Sequence, residues 1–338
     1  MKKTVYVRSI PIGGNNRITI QSMTNTDTED IEATKSQVKQ LRQAGADFVR
    51  VSLPSMDCMK TVKELAKGDI PIIGDIHFDH KIAIAAVESG IDKIRINPSN
   101  FPKQGLADTV KACKEANIPI RVGVNKGSVK GFEADAQKLA LLTLESAKRI
   151  EDLDYDNLVL AVKASDVKTT VKAYRILDKM CSYPLHIGLT EAGPPQFGIL
   201  KSAVAIGSLL LDNIGDTLRV SLTAHPVEEV KAAINILRAA GKDTEFIDII
   251  ACPTCARTCI NVQEIAAILY EKTKDIRKKG KIAVMGCIVN GIGESKGAKF
   301  GVAGGKDKSS IFLDGKIIKT VNNEEILQEL LDMAKRYL

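Results

Sequence analysis

The chain has 338 residues, 44% of them hydrophobic and 26% charged, enough for two domains or one large domain with an appendage, and too apolar for a disordered chain. Its net charge of +7 comes with 4% aromatic residues, no tryptophan and no dense Lys/Arg block, so a small, multiply anionic ligand is expected and a nucleic-acid partner is not. No charged start leads into an apolar stretch, and no apolar run approaches the ~20 residues of a membrane helix, so a cytoplasmic protein with no membrane partner is expected.

The first 240 residues repeat one unit: a short β-branched run, a polar turn, and a stretch with apolar residues at three- and four-residue spacing. The runs are "RITIQSM" (17–23), "FVRVSLP" (48–54), "PIIGDIH" (71–77), "KIRINP" (93–98), "PIRVGVN" (119–125), "NLVLAVKAS" (157–165), "PLHIGLTE" (184–191) and "TLRVSLT" (217–223). Strand alternating with helix means parallel βαβ units, and eight of them predict an α/β fold: an N-terminal (β/α)8 TIM barrel over 1–240. Gly after "QA", "ES" and "AA" predicts left-handed helix caps.

A barrel places its working groups at the C-terminal ends of its strands. Those ends carry Arg50, Asp75 and His77, Arg95 and Asn97, Arg121 and Asn125, Lys163, Glu191, and Arg219 and Ser221, with Lys201 following strand seven. Four arginines in four strands are informative, because a strand needs no interior charge. Pairing outward with the helix layer explains any one of them but not all four. Converging guanidiniums bind phosphates through bidentate, charge-assisted hydrogen bonds, so the expected ligand carries two or more phosphates. His80 is expected to begin a helix, and His186 and His225 read as structural.

From 241 the order changes. A linker leads to a strand at 246–251, a C-x-x-C turn, a helix at 260–278, a strand at 281–286, a Gly-rich loop, a hairpin at 309–321 and a helix at 323–337. This predicts a small α+β domain over 246–338.

Seven cysteines are an odd count spread along the chain, which argues against a disulfide framework. Cys58, Cys113 and Cys181 fall in helical patterns and read as small buried hydrophobes. Cys252, Cys255 and Cys287 end β-branched runs, and three thiolates are one short of a four-ligand site. Cys259 is the obvious fourth by position but reads as a buried helix residue. Zinc sites of this kind usually carry a second C-x-x-C or a His pair, and no His follows residue 225. The cysteine order also differs from the C-x-x-x-C-x-x-C of radical S-adenosylmethionine enzymes.

Together, "ACPTCART", "MGCIVNGIGES", "TEAG", "IGDTLRVSL" and "KIRINP" resemble the bacterial 4-hydroxy-3-methylbut-2-enyl diphosphate synthases, over the whole chain. The resemblance implies a barrel that binds 2-C-methyl-D-erythritol 2,4-cyclodiphosphate and a reductase-like C-terminal domain with a [4Fe-4S] cluster. It implies Cys252, Cys255 and Cys287 as ligands, with Glu294 as a fourth, harder and more labile ligand. The substrate set implied is Arg50, His77, Arg95, Arg121, Asn125, Lys201, Arg219 and Ser221, with Arg257 and Asn290 on the cluster side. Glu191 is the candidate for proton delivery, and flavodoxin or ferredoxin the electron donor. A head-to-tail homodimer is also implied. The last barrel helix carries the chain away from the strands' C-terminal ends, and a linker over 241–245 reaches at most ~18 Å. The alternative is a barrel aldolase or isomerase acting on a sugar phosphate, with Lys163 as Schiff-base lysine and a structural zinc domain.

Overall fold

An antiparallel hairpin, β1 (Thr4–Val7) and β2 (Ile10–Gly13), precedes the first strand expected from the sequence. The structure is a computed structural model describing residues 2–125, 135–289 and 291–338. It divides into two units, Met1–Lys242 and Asp243–Leu338.

In the first unit the strands β3 (Thr19–Met23), β4 (Phe48–Ser52), β5 (Ile72–Asp75), β6 (Lys93–Ile96), β7 (Ile120–Asn125), β8 (Leu158–Lys163), β9 (His186–Ile187) and β10 (Thr217–Leu218) form one parallel sheet. Its order is β8-β7-β6-β5-β4-β3-β10-β9, and a bridge between Leu160 and Leu185 brings the two ends together into a nearly closed barrel. The helices are α1 (Ile31–Gln43), α2 (Met59–Ala66), α3 (His80–Glu88), α4 (Lys103–Glu115), α5 (Ala136–Glu151), α6 (Val167–Met180), α7 (Pro195–Leu211) and α8 (Pro226–Ala239). Asp30, Asp79, Asp135 and Asp166 cap α1, α3, α5 and α6, each accepting a first-turn backbone N–H that the helix leaves unpaired. Gly45 and Gly90 follow helix ends at φ 104° and 90°, as expected of left-handed caps.

Two expectations need correction. The runs at 184–191 and 217–223 each give only a two-residue strand. Beyond Ile187 and Leu218 the backbone pairing thins to scattered bonds, among them Arg219 N–H to Ile187 O at 3.1 Å and Thr190 N–H to Ala164 O at 3.4 Å. The chain then turns, with Glu191 at φ 54° and Gly193 at 97°. The hairpin was unforeseen because its runs are four residues each. Val5, Val7 and Ile12 pack on Phe48, Ile73 and Val159, side chains at the N-terminal starts of their strands, so the hairpin closes that end of the barrel.

The second unit holds β11 (Ile247–Ala251), α9 (Val262–Thr273), β12 (Gly280–Met285), α10 (Gly291–Glu294), β13 (Phe300–Ala303), β14 (Lys308–Leu313), β15 (Lys316–Asn322) and α11 (Ile326–Tyr337). The sheet runs β11-β12-β13-β14-β15, parallel across the first three strands and antiparallel across the last three. Leu269 of α9 and Leu330 of α11 are buried with Ile282, Val284, Phe300 and Val302 in its core. The expected Gly-rich loop contains strand β13, whose Gly301 accommodates the Ala283 carbonyl and the Phe312 ring where a Cβ would not fit. The helix expected to run to 278 stops at Thr273, and Arg277 pairs with Asp243 at 2.8 Å. Among the described residues no helix is long and apolar enough to cross a membrane.

Candidate active site

Alternation along β4, β5, β6 and β7 sends Arg50, Asp75, Arg95 and Arg121 into the barrel, where all four are buried or nearly so. Register fixes their neighbours: Asp75 pairs with Arg95, and Arg95 with Arg121. Arg95 Nη1 lies 3.3 Å from Asp75 Oδ1, and Arg50 Nε 3.8 Å from Asp75 Oδ2. His77 Nε2 stands 3.4 Å from the same carboxylate while half of its side chain stays exposed. Gly123 is required here, because a Cβ on it would stand 2.9 Å from Arg95 Nε. Gly188 leaves similar room for Lys163, whose Nζ would be 3.0 Å from its Cβ.

These groups line a cavity of about 130 Å³ with Lys163, Thr190, Arg219 and Ser221. Arg219 is also held from the helix layer. Its Nε and Nη2 donate to Glu229 of α8 at 3.3 and 3.2 Å, and Glu229 also accepts from Leu222 N–H at 2.8 Å. Outward pairing therefore holds for this one arginine, which lines the cavity as well. Met23 Sδ accepts weakly from Arg50 at 3.0 and 3.1 Å.

The electrostatics are lopsided. Burial alone would raise the Asp75 carboxyl, but Arg50, the hydrogen bond from His77, Arg95 and Arg121 outweigh it and hold it far below the usual carboxylate range. Burial, then Arg219 and Arg95, push the Arg50 guanidinium down to about 10 against the pull of Asp75 and Glu229. Burial pushes Arg121 well down, with Arg50 and Arg95 adding to it. Among the described residues Arg95 Nε and Arg121 Nε and Nη1 have no hydrogen-bond partner. Guanidiniums stay charged in proteins, so these directions measure the cost of crowding cations around one carboxylate. An entering anion would relieve it.

Of the residues expected at the site, Arg50, His77, Arg95, Arg121, Arg219 and Ser221 line this cavity. Glu191 is exposed beside Thr190, outside the lining. Lys201 sits on α7 with Nζ 5.3 Å from the Phe197 ring, also outside it. Asn125 ends β7 in register with Lys163. Thr190, Gly123 and Glu229 were missed. An acid in the first turn of a helix, as Glu229 is, reads simply as a helix-dipole partner.

In the second unit Cys252 follows β11 and Cys287 follows β12, the parallel neighbour. Gly286 ties the two segments: its N–H donates to Cys252 Sγ at 3.1 Å, and its carbonyl accepts from Cys259 N–H at 2.8 Å. Cys255 N–H donates to Thr258 Oγ1 at 3.0 Å. The Arg257 backbone N–H holds the exposed Cys255 thiol below its ordinary range. Cys259 is exposed, its Sγ 3.3 Å from the Arg257 carbonyl, which corrects the buried-helix reading. Asn261 caps α9, so the helix starts only after Cys259. Arg257 is exposed on the same loop and Glu294 ends α10; Asn290 lies outside the described residues. Among the described residues no three Cys, His, Asp or Glu side chains are drawn together at metal-holding distance. The donor set nonetheless suits an iron–sulfur cluster: thiols at the ends of adjacent strands, with backbone N–H groups on the sulfurs.

A ring of parallel strands with charged groups gathered at its C-terminal end is a TIM barrel with the site placement of the enzymes built on that fold. Dihydropteroate synthases share that fold: the Yersinia pestis structure aligns with TM-score 0.53 at 14% identity over 70% of this chain and 98% of its own. The Xanthomonas albilineans structure with 7,8-dihydropteroate gives 0.53 at 15% over 71% and 99%. The chain belongs to the GcpE family, matching the GcpE TIM-barrel domain over residues 2–234 and the GcpE protein C-terminal domain over 248–336. It is 46% identical to the 4-hydroxy-3-methylbut-2-en-1-yl diphosphate synthase (flavodoxin) of Clostridium perfringens, over 98% of each chain. To that of Thermotoga maritima it is 44% identical over 98% of this chain and 96% of the relative. The family match supports the synthase reading over the aldolase or isomerase one.

Proposed function

We propose that this chain is an oxidoreductase converting 2-C-methyl-D-erythritol 2,4-cyclodiphosphate to (E)-4-hydroxy-3-methylbut-2-enyl diphosphate in isoprenoid precursor synthesis. Two electrons and two protons enter, the ring C–O bond to phosphate opens, and water leaves. The observation that carries this reading is the convergence of Arg50, Arg95, Arg121, Lys163 and Arg219 on a cavity whose lining holds one carboxylate, Asp75.

The three strand guanidiniums would grip the phosphates by charge-assisted hydrogen bonds, with Arg219 oriented by Glu229. Thr190 and Ser221 offer hydroxyls from the wall, and His77, held through Nε2 by Asp75, would turn its other ring nitrogen to the ligand. Asn125 extends the set at the end of β7. Glu191, exposed next to Thr190, is the proposed proton donor. A [4Fe-4S] cluster, which supplies electrons one at a time when bound, would be held by Cys252, Cys255, Cys287 and Glu294. Arg257 would lie beside it, with flavodoxin or ferredoxin as donor and the cytoplasm as the setting. The proposed assembly is a head-to-tail homodimer, each C-terminal unit serving its partner's barrel.

The test is anaerobic reconstitution with iron and sulfide, then assay of the cyclodiphosphate with a chemical reductant. Brown, iron-containing protein and formation of the linear diphosphate are expected. Protein that takes up no iron, or a substrate left intact, would defeat the reading.

A further inference from the structure

Below the cavity, one layer nearer the hairpin, lies a lysine that the proposed chemistry does not use. Lys93 projects from β6 on the same side as Arg95, in register with Ile73. Its exposure is 0%, and among the described residues its Nζ has no hydrogen-bond partner. The contact the structure gives it is the Phe48 ring, 4.9 Å from Nζ.

An ammonium without a protein acceptor is costly to bury, and such groups shed the proton instead. The surroundings push the same way. Burial drives Lys93 well down, and Arg121 and Arg50 add to it. Arg95 on its own strand, Lys163 from β8 and Arg219 beyond β10 are further cations of this interior. Among the described residues the anions are Asp75, already shared by Arg50, Arg95 and His77, Glu229 of α8, engaged by Arg219, and Asp92 at the floor, which pairs with Arg8. His186 of β9 is buried, with both ring nitrogens unpartnered among the described residues, and is itself driven down by burial and by Arg121. Tyr174 of α6 donates to the His186 carbonyl at 2.5 Å. Lys163 is depressed too, first by burial, but unlike Lys93 it is only half-buried and lines the cavity, where an entering anion would meet it directly.

We infer that Lys93 tunes the charge of the anion cavity: its amine is neutral in the free protein and takes a proton from solvent when a diphosphate enters above it. The proton adds to the amine lone pair, and no other bond changes. Lys93 acts on the ligand through the field it shares with Arg121 and so is a positioning residue. The idea rests on the anion-binding reading of the cavity.

The experiment is calorimetric titration of the full chain with the cyclodiphosphate in buffers of different ionisation enthalpy. Both phosphates of this ligand are esterified, so it has no weakly acidic hydroxyl to confuse the proton count. Binding should be accompanied by uptake of about one proton where the bound state is protonated and the free state is not, so affinity falls up to about tenfold per pH unit there. Lys93→Met, checked for a native melting transition, should still bind but with uptake lower by about one proton and a flatter pH profile. Lys93→Gln repeats the test should methionine fail to fold. Binding without proton uptake by wild type overturns this inference alone. So does unchanged uptake in the Lys93 variant, or uptake lost in Lys163→Met instead. No binding at all overturns it together with the anion-site reading.

Discussion

Replacing Asp75 by Asn removes one negative charge from the barrel interior and keeps the shape of the side chain. At an effective dielectric near 20, a unit pair at the 3.3 Å of Arg95 is worth about 5 kcal/mol and at the 3.8 Å of Arg50 about 4 kcal/mol. Desolvation of Asp75 offsets much of this, and the half-exposed His77 adds little. The residue of the balance is the price of leaving buried cations unpaired, about 3–5 kcal/mol. In anion-free buffer the barrel's melting should fall by roughly 6–20 °C. Pyrophosphate should protect the variant more than wild type, since it meets cations no longer engaged; a hundredfold excess over Kd is worth about 2.7 kcal/mol. The pH dependence has a definite sign. Asp75 is depressed in the folded state, so its contribution is complete above the unfolded carboxyl value of about 4 and is lost as pH falls below it. The gap between wild type and variant should be flat from about pH 5 to 8 and close in acid. Equal melting without anion, or pyrophosphate protection no larger than in wild type, would refute the view of Asp75 as a place-holder for the ligand.

Gly123→Ala should push Arg95 off Asp75, raising KM at least about tenfold with a stability loss of about 1–3 kcal/mol; an unchanged KM would separate Arg95 from binding. Cys252→Ser, Cys255→Ser and Cys287→Ser should each lose iron after reconstitution while Cys259→Ser keeps it, and iron analysis that ranks them otherwise reverses the ligand assignment. Glu294→Cys should retain iron and visible absorbance while turnover falls by orders of magnitude, because a thiolate yields its place less readily than a carboxylate. Co-expressed Cys252→Ser and Arg121→Ala chains, each inactive alone, should recover about a quarter of wild-type activity by random pairing if sites form between partners; mixed dimers without recovery would exclude that.

The barrel was legible because its period is short and repeated. Strands β4 to β8 lie within the expected runs, since β-branched residues buried on both faces leave few other readings. The arginines were legible for the opposite reason: charge in a buried strand has no structural use. What sequence did not carry was pairing. Nothing in "PVEEV" distinguishes Glu229, which grips Arg219, from Glu228, which pairs with Lys231 on the surface. Lys201 stood in the expected set by its place after strand seven, yet its amine turns to Phe197, a choice made by side-chain contact within α7. Cys259 was misplaced because helical spacing says nothing about where Asn261 starts the helix.

The N-terminal hairpin makes the barrel a cup and not a pipe. Its three buried aliphatics set an oily stopper under a column of polar side chains. For anyone engineering the chain, the first dozen residues are therefore part of the vessel wall. Trimming them, or fusing a domain that tugs the hairpin loose, would breach the base and let water and counter-ions rise toward Lys93 and Arg121, blunting an electric field that depends on having one opening.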